Sequence, residues 1–247
     1  GADWVATGHY ARLDHSGDQP RLMKAVDASK DQSYFLQAVS ASQLRHCVFP
    51  LGGMEKQDVR ALARESMIPT HAKKDSTGIC FIGERRFADF LNQYIPAQPG
   101  AIVTIDGQEL GRHRGLMFHT IGQRQGLGIG GVENAPDAPW YVVDKDLAGN
   151  RLIVAQGNDH PALFSSGLTT RAIHWVDEKG PLLPAQLQVK IRYRQPDQPA
   201  RLEADPAMGF RLRFDEPQRA VSPGQWVCFY DGDTCLGGGI IESRTNN

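Results

Sequence analysis

Cysteine is scarce in this sequence of 247 residues, with four at positions 47, 80, 228 and 235. None of them forms a Cys-x-x-Cys pair, and no histidine cluster sits at zinc spacing, so no metal site is expected. Four cysteines in a chain of this length do not make a disulfide scaffold, and each has to be judged by its own neighbours. Long apolar runs are also missing: none approaches the roughly 20 residues that cross a bilayer. No membrane partner is expected, and a cytoplasmic location is the default expectation. Net charge is nearly absent, at -1. Bulk charge therefore announces no nucleic-acid partner, and any such surface has to be a local basic patch. An initiator Met is lacking, and Gly1-Ala-Asp-Trp-Val reads as strand rather than leader. We expect a piece of a longer protein, cut inside a domain. There is no internal repeat and no low-complexity tract.

What is present is a soluble composition, 40% hydrophobic and 22% charged, long enough for two or three domains. Residues 2–7 form a short apolar run ending at Gly8-His9-Tyr10, which reads as a buried strand feeding a ligand-facing loop. Residues 31–47 read as a helix with Tyr34, Phe35, Leu36, Val39 and Leu44 on one side, broken by Phe49-Pro-Leu-Gly-Gly53. Residues 55–67 read as a second helix, ended by Pro69. His71 to Gly83 is a loop rich in Lys, Ser, Thr and Gly, followed by a short helix at 85–94. Pro96-Ala-Gln-Pro99-Gly100 marks a domain boundary.

Beyond that boundary the apolar period changes to two. Residues 101–105 and 108–110 flank Asp106-Gly107 as a hairpin, and 140–143 pairs with 151–154. A second boundary falls within 157–167. Leu187, Val189, Ile191 and Tyr193 alternate with Gln188, Lys190, Arg192 and Arg194, so a strand over 186–194 would carry three cations on one face. Phe210, Leu212 and Phe214 alternate with arginines, and 226–230 and 235–241 flank Asp231-Gly232. Many short strands between turns point to a small barrel. With Asp231-Gly232 as the turn, Cys228 faces Cys235 across the hairpin at a hydrogen-bonded pair, and both read as small core residues, as does Cys47. Gly126-Leu-Gly-Ile-Gly-Gly131 matches G-x-G-x-x-G, but no helix pattern follows it, so a dinucleotide site is rejected.

Five ordered segments carry a resemblance: Ala6-Thr-Gly-His-Tyr10, Lys30-Asp-Gln-Ser-Tyr-Phe-Leu36, Asp75-Ser-Thr-Gly-Ile-Cys-Phe-Ile-Gly83, His119-Thr-Ile-Gly-Gln-Arg124 and Leu236-Gly-Gly-Gly239. Together they resemble the tRNA-specific 2-thiouridylase family along nearly the whole chain. The resemblance implies a remnant of an ATP-pyrophosphatase-type (Rossmann-like) α/β domain over 1–95. It implies a small central β domain over 96–160 and a C-terminal β-barrel over 161–247 that binds tRNA. It further implies ATP-dependent 2-thiolation of the wobble uridine, with Mg2+ expected beside ATP. Sulfur would pass from a cysteine persulfide to C2 of an adenylated uridine, with release of AMP. The sulfur would come from a donor protein. The family's Ser-Gly-Gly-x-Asp-Ser loop and its first catalytic cysteine have no counterpart here, so the chain alone is expected to be inactive. A tRNA-binding module without catalysis is the alternative.

Residue by residue, the resemblance makes Cys80 the persulfide carrier. Its neighbours Lys73, Lys74, Arg85 and Arg86 would favour the thiolate, which is the nucleophilic form. Asp75 reads as a loop cap. Gly8 falls on an ATP contact. His9, Lys30, Asp31, Gln32, Arg192, Tyr193 and Gln225 fall on tRNA contacts. On local chemistry alone Asp31 reads equally as a helix N-cap, and Lys30 and Gln32 as groups able to reach phosphate or base edges. Gln125 stands where the family usually has Lys.

Overall fold

In a computed structural model the described residues are 1–72, 94–130 and 138–246. The 85–94 helix expected from sequence falls almost wholly outside them, as does Cys80 with its loop. The strands are β1 (Val5–Ala6), β2 (Ala11–Asp14), β3 (Arg21–Lys24), β4 (Cys47–Val48), β5 (Gly100–Thr104), β6 (Glu109–His113), β7 (Trp140–Asp146) and β8 (Arg151–Gln156). They continue with β9 (Phe164–Thr170), β10 (Ile173–Trp175), β11 (Ala185–Lys190), β12 (Gln198–Asp205), β13 (Gly209–Arg219), β14 (Trp226–Asp231), β15 (Thr234–Ile240) and β16 (Ser243–Asn246). Helices are α1 (Ser33–Leu36), α2 (Ala41–Leu44) and α3 (Lys56–Glu65). No helix among the described residues is long and apolar enough to cross a membrane.

Two compact units emerge. One gathers the described residues of Gly1–Lys73, Ser166–Glu216 and Pro223–Thr245; the other those of Lys74–Ser165 and Pro217–Ser222 with the C-terminal end.

In the second unit β6-β5-β8-β7 form one sheet, with β5 and β8 parallel and the other pairs antiparallel. Alternation along β7 feeds two cores. Val142 packs with Ile102, Leu127, Leu152 and Val154, while Tyr141 and Val143 pack with Ala155 and Leu163. Leu127 thus anchors the glycine-rich run, and no helix follows the run in the described residues to 130.

In the first unit one sheet runs β16-β9-β13-β12-β11-β14-β15-β3-β2. The path is open among the described residues, where a closed barrel was expected. The reason lies at β15, whose free edge is shared. Its start pairs β3 at Thr234 with Met23, and its end pairs β10 at Gly237–Gly239. Two strands compete for one edge, so the sheet runs on into the β2–β3 hairpin instead of returning on itself.

The triple glycine of Leu236-Gly-Gly-Gly239 makes that edge possible. A Cβ at Gly237 would lie 2.0 Å from the His174 carbonyl oxygen, and one at Gly238 would lie 2.2 Å from Gln37 Oε1. Only backbone fits so close to β10 and to the chain after α1.

Four local expectations are corrected. The helix over 31–47 is two single turns, because Ser40 takes extended backbone and starts α2 with a capping box to Gln43. The strand over 186–194 stops at Lys190. Residues 191–195 turn instead, held by Ile191 N donating to Gln195 Oε1 (2.9 Å) and Gln195 N to Arg192 O (3.2 Å). The hairpin after β14 turns on Gly232-Asp233, so Cys235 opposes Tyr230; a bulge then puts Cys228 opposite Gly238. Both cysteines are buried thiols with Sγ atoms 3.5 Å apart. Finally, the run 2–7 is not buried. Trp4 and Val5 are half exposed, since β1 has only the two-residue parallel partner β4 among the described residues. That strand, not a helix, holds the half-buried Cys47.

The second helix forms as expected, as α3. Glu55 at its start gives no side-chain cap, so a distant carboxylate serves: Asp27 Oδ2 accepts from Lys56 N at 3.0 Å. The other oxygen, Oδ1, accepts from Ser29 N and Ser29 Oγ. The Ser29 hydroxyl bond, foremost, holds the Asp27 carboxyl below its usual range. One buried acid therefore fixes both α3 and the loop that carries Lys30.

Candidate RNA-contact site

The Lys30-Asp31-Gln32 segment is zipped to the strand end before it. Tyr10 N donates to Gln32 Oε1 (2.9 Å), and Gln32 N to Tyr10 O (2.7 Å). His9, one residue earlier, bonds Thr7 Oγ1 through Nδ1 and packs edge-on against Phe49, with centroids 5.9 Å apart. Gly8 is exposed. Asp31 is buried, and its Oδ1 accepts from Ala25 N and Ser33 N, both at 3.1 Å. Its Oδ2 accepts from Ser33 Oγ at 2.9 Å. These bonds match the capping role that local chemistry allowed.

The distant turn 191–195 comes to the same place. Tyr193 Oη donates to Lys30 O at 3.4 Å, across 163 positions of sequence. Its ring lies 4.5 Å from that of Phe35, tilted by 38°, and the Arg194 guanidinium is 5.6 Å from the ring centre. Tyr34, next to Phe35, donates to Trp226 O at 2.9 Å. Its phenol is pushed up to about 12, by burial first and then by Cys228, with the Arg192 charge opposing. Arg192 is thus close to Tyr34, and Gln225 precedes the residue that Tyr34 holds. Gln225 itself accepts from Ile241 N through its backbone oxygen, at 2.7 Å.

Beneath lies a charge network that alternation had misplaced. Lys190, expected on a solvated strand face, is buried. Its Nζ lies 3.7 Å from Asp31 Oδ2 and 3.7 Å from Asp197 Oδ1. Lys24 Nζ bonds Asp197 Oδ2 at 2.5 Å and Gly232 O at 2.9 Å. Both ammonium groups face the buried Tyr230 ring, 4.6 and 5.3 Å from its centre. Tyr230 Oη contacts Ser33 Oγ at 3.2 Å, and burial drives its phenol far above the ordinary range. Sequence reading missed Asp197 altogether and took Phe35 for core. Nothing local marks Asp197, and the exposure of Phe35 follows only from the break at Ser40.

A cleft of about 740 Å³ opens between the two segments, lined by Ser29, Lys30, Tyr193, Arg194, Pro196 and Asp197 among others. The structure therefore gathers Lys30, Asp31, Gln32, Arg192 and Tyr193 on one side of the first unit, with His9 and Gln225 one residue away from groups bonded into it. Cys80 lies outside the described residues.

Two mostly β units and a basic, aromatic-rimmed cleft built from both ends of the chain define a multidomain protein with a polyanion-sized groove. Comparison with known proteins narrows the class. Three family models match in succession: the tRNA methyl transferase HUP domain over residues 1–84, the tRNA methyl transferase PRC-barrel domain over 88–156, and the aminomethyltransferase beta-barrel domain over 165–241. Proteins named tRNA-specific 2-thiouridylase MnmA are similar over 98% of this chain. That of Pseudomonas syringae pv. syringae (strain B728a) is 59% identical, with 64% of its length covered. That of Hahella chejuensis (strain KCTC 2396) is 58% identical, with 66% covered. The chain belongs to the tRNA-specific 2-thiouridylase family. It spans somewhat under two thirds of the length of the relatives it matches.

Proposed function

We propose that the chain is the tRNA-holding and sulfur-accepting part of an enzyme that 2-thiolates the wobble uridine of tRNA. The observation that carries the reading is the convergence of Lys30-Asp31-Gln32 with Arg192 and Tyr193 on one basic cleft. Phosphate contacts from such cations position an RNA, and the aromatic rings offer sequence-tolerant stacking. The model names speak of methyl transfer and the relatives' names of thiolation. The motif around Cys80 favours thiolation, since a thiolate is the natural sulfur acceptor.

Sulfur uptake needs only this chain and a donor. The Cys80 thiolate attacks the outer sulfur of a donor protein's persulfide, the donor's S–S bond breaks, and the donor leaves as thiolate. Cys80 becomes the persulfide with no net oxidation. Toward ATP the chain offers one exposed backbone position, Gly8, where an added Cβ would meet only Leu51 Cδ1 at 3.7 Å. The sequence holds no Ser-Gly-Gly-x-Asp-Ser loop. These residues do not fit ATP and Mg2+ by themselves, so adenylation is not assigned to them, and the chain alone should accept sulfur without completing transfer.

The test is to incubate the chain with a persulfide-loaded donor protein, map the adducts by mass spectrometry, and titrate tRNA in parallel. A gain of one sulfur at Cys80 together with tRNA binding supports the proposal. Binding without uptake at Cys80 would leave an RNA-binding module, and neither would sink the reading.

A further inference from the structure

Phe35 is the one exposed member of the run 31–37, with 55% of its surface in water. A large apolar ring gains about 2 kcal/mol by burial, so its place at the rim calls for a ligand-side explanation. Three observations surround it. The ring is stacked at 4.5 Å on Tyr193, which is itself fixed by its bond to Lys30 O. The cleft beside the pair carries Lys30 and Arg194 on opposite segments. The acids that line it are already matched: Asp197 by Lys24 and Lys190, and Asp233 by Arg12 at 3.0 Å. The rim is therefore a flat apolar face beside net positive charge, which is the composition that receives an unstacked base with its phosphate.

We propose that Phe35 and Tyr193 form a stacking platform for one unpaired base of the bound RNA, whose phosphate lies between Lys30 and Arg194. The proposal rests on the RNA-binding reading above and adds a base-stacking residue, Phe35, and a phosphate contact, Arg194. A base is the fitting occupant because every base presents a π face, while the ring pair offers no polar group for reading an edge.

The experiment measures the affinity of the 247-residue chain for a tRNA transcript over a salt series, with Phe35→Ala, Phe35→Leu, Phe35→Trp, Arg194→Gln and Arg192→Glu. Loss of one stacked base weakens binding about fivefold to a hundredfold. Alanine and leucine should both show that loss with an unchanged salt slope, and tryptophan should retain the affinity. Arg194→Gln should lower the slope by about 0.7, the share of one single-strand phosphate. Binding by Phe35→Leu as tight as by the parent overturns the platform, since apolar packing alone then suffices. An unchanged slope in Arg194→Gln overturns the phosphate contact. If Arg192→Glu is also silent, the RNA-binding reading itself fails, which separates the two failures. Phe35 is largely in water, so its variants should melt within a few degrees of the parent.

Discussion

Replacing Lys190 by Met removes the cation between two acids and keeps the length of the aliphatic stem. The Lys190 side chain is 11% exposed, with Asp31 at 4% and Asp197 at 28%. At the observed 3.7 Å a unit charge pair is worth about 4 kcal/mol gross at the effective dielectric of such sites. The cost of desolvating the ammonium offsets much of that. Asp197 keeps Lys24, and Asp31 keeps its three donors, so neither acid is left bare. We expect a net loss of about 3 kcal/mol, at the low end of what breaking a buried pair costs. In a chain of this size that lowers the melting midpoint by about 6–12 °C. The assay is thermal unfolding followed by circular dichroism, with tRNA affinity measured well below the midpoint. Lys190→Arg should recover most of the stability, because the charge returns, and less of the affinity, because the wider guanidinium displaces the 191–195 turn. A midpoint for Lys190→Met within one or two degrees of the parent would refute the reasoning: the two loops would then be held by their hydrogen bonds alone.

His119 gives a pH prediction. Burial first, then the charges of His113, Lys145 and Arg114, hold its imidazole down at about 4, against an ordinary 6.5. The folded state therefore binds fewer protons than the unfolded chain between those values. The stability this neutral ring contributes is present above pH 6.5 and lost as pH falls toward 4, by about 3 kcal/mol in all. His119→Gln should flatten stability over that window in denaturant titrations, and a ring proton shift that titrates near 6.5 would contradict the argument. Gly238→Ala should cost about 2 kcal/mol or more, since the new methyl meets Gln37 Oε1 and Val227 O. Chemical denaturation of that variant together with Gln37→Ala should show the loss partly restored, and full additivity would argue against the contact.

The strands were legible because a two-residue period survives in them: β5 with β6, β7 with β8, and β14 with β15 all form where alternation and turn residues placed hairpins. Register was less so. The bulge after Phe229 shifts Cys228 away from Cys235, and no residue type announces it. Alternation also ran too far. Leu187, Val189, Ile191 and Tyr193 keep the strand period to the end, yet the chain turns after Lys190 because a side-chain amide five positions on satisfies the backbone there. The helix over 31–47 failed for the opposite reason, because Ser40 could have been read as an N-cap and was not. The cleft itself was invisible. Each half is an ordinary polar segment, and only long-range pairing brings them together. The motifs named its residues without saying that Asp31 and Lys190 support the site from below.

The β2–β3 hairpin has a consequence for how such a chain is made. Lys24 N donates to Asp233 O, and β3 takes its edge from β15, so a strand completed within the first 24 residues waits for one that emerges last. The closing loop spans some two hundred positions, an entropic cost met late and only once. During synthesis the early hairpin must stay solvated or be shielded, while the sheet of the second unit can already form from its own consecutive strands. The RNA-contact cleft draws on both early and late segments, so it comes into being only when translation is nearly done. A nascent chain would therefore not hold RNA at this surface before its own last strands are in place.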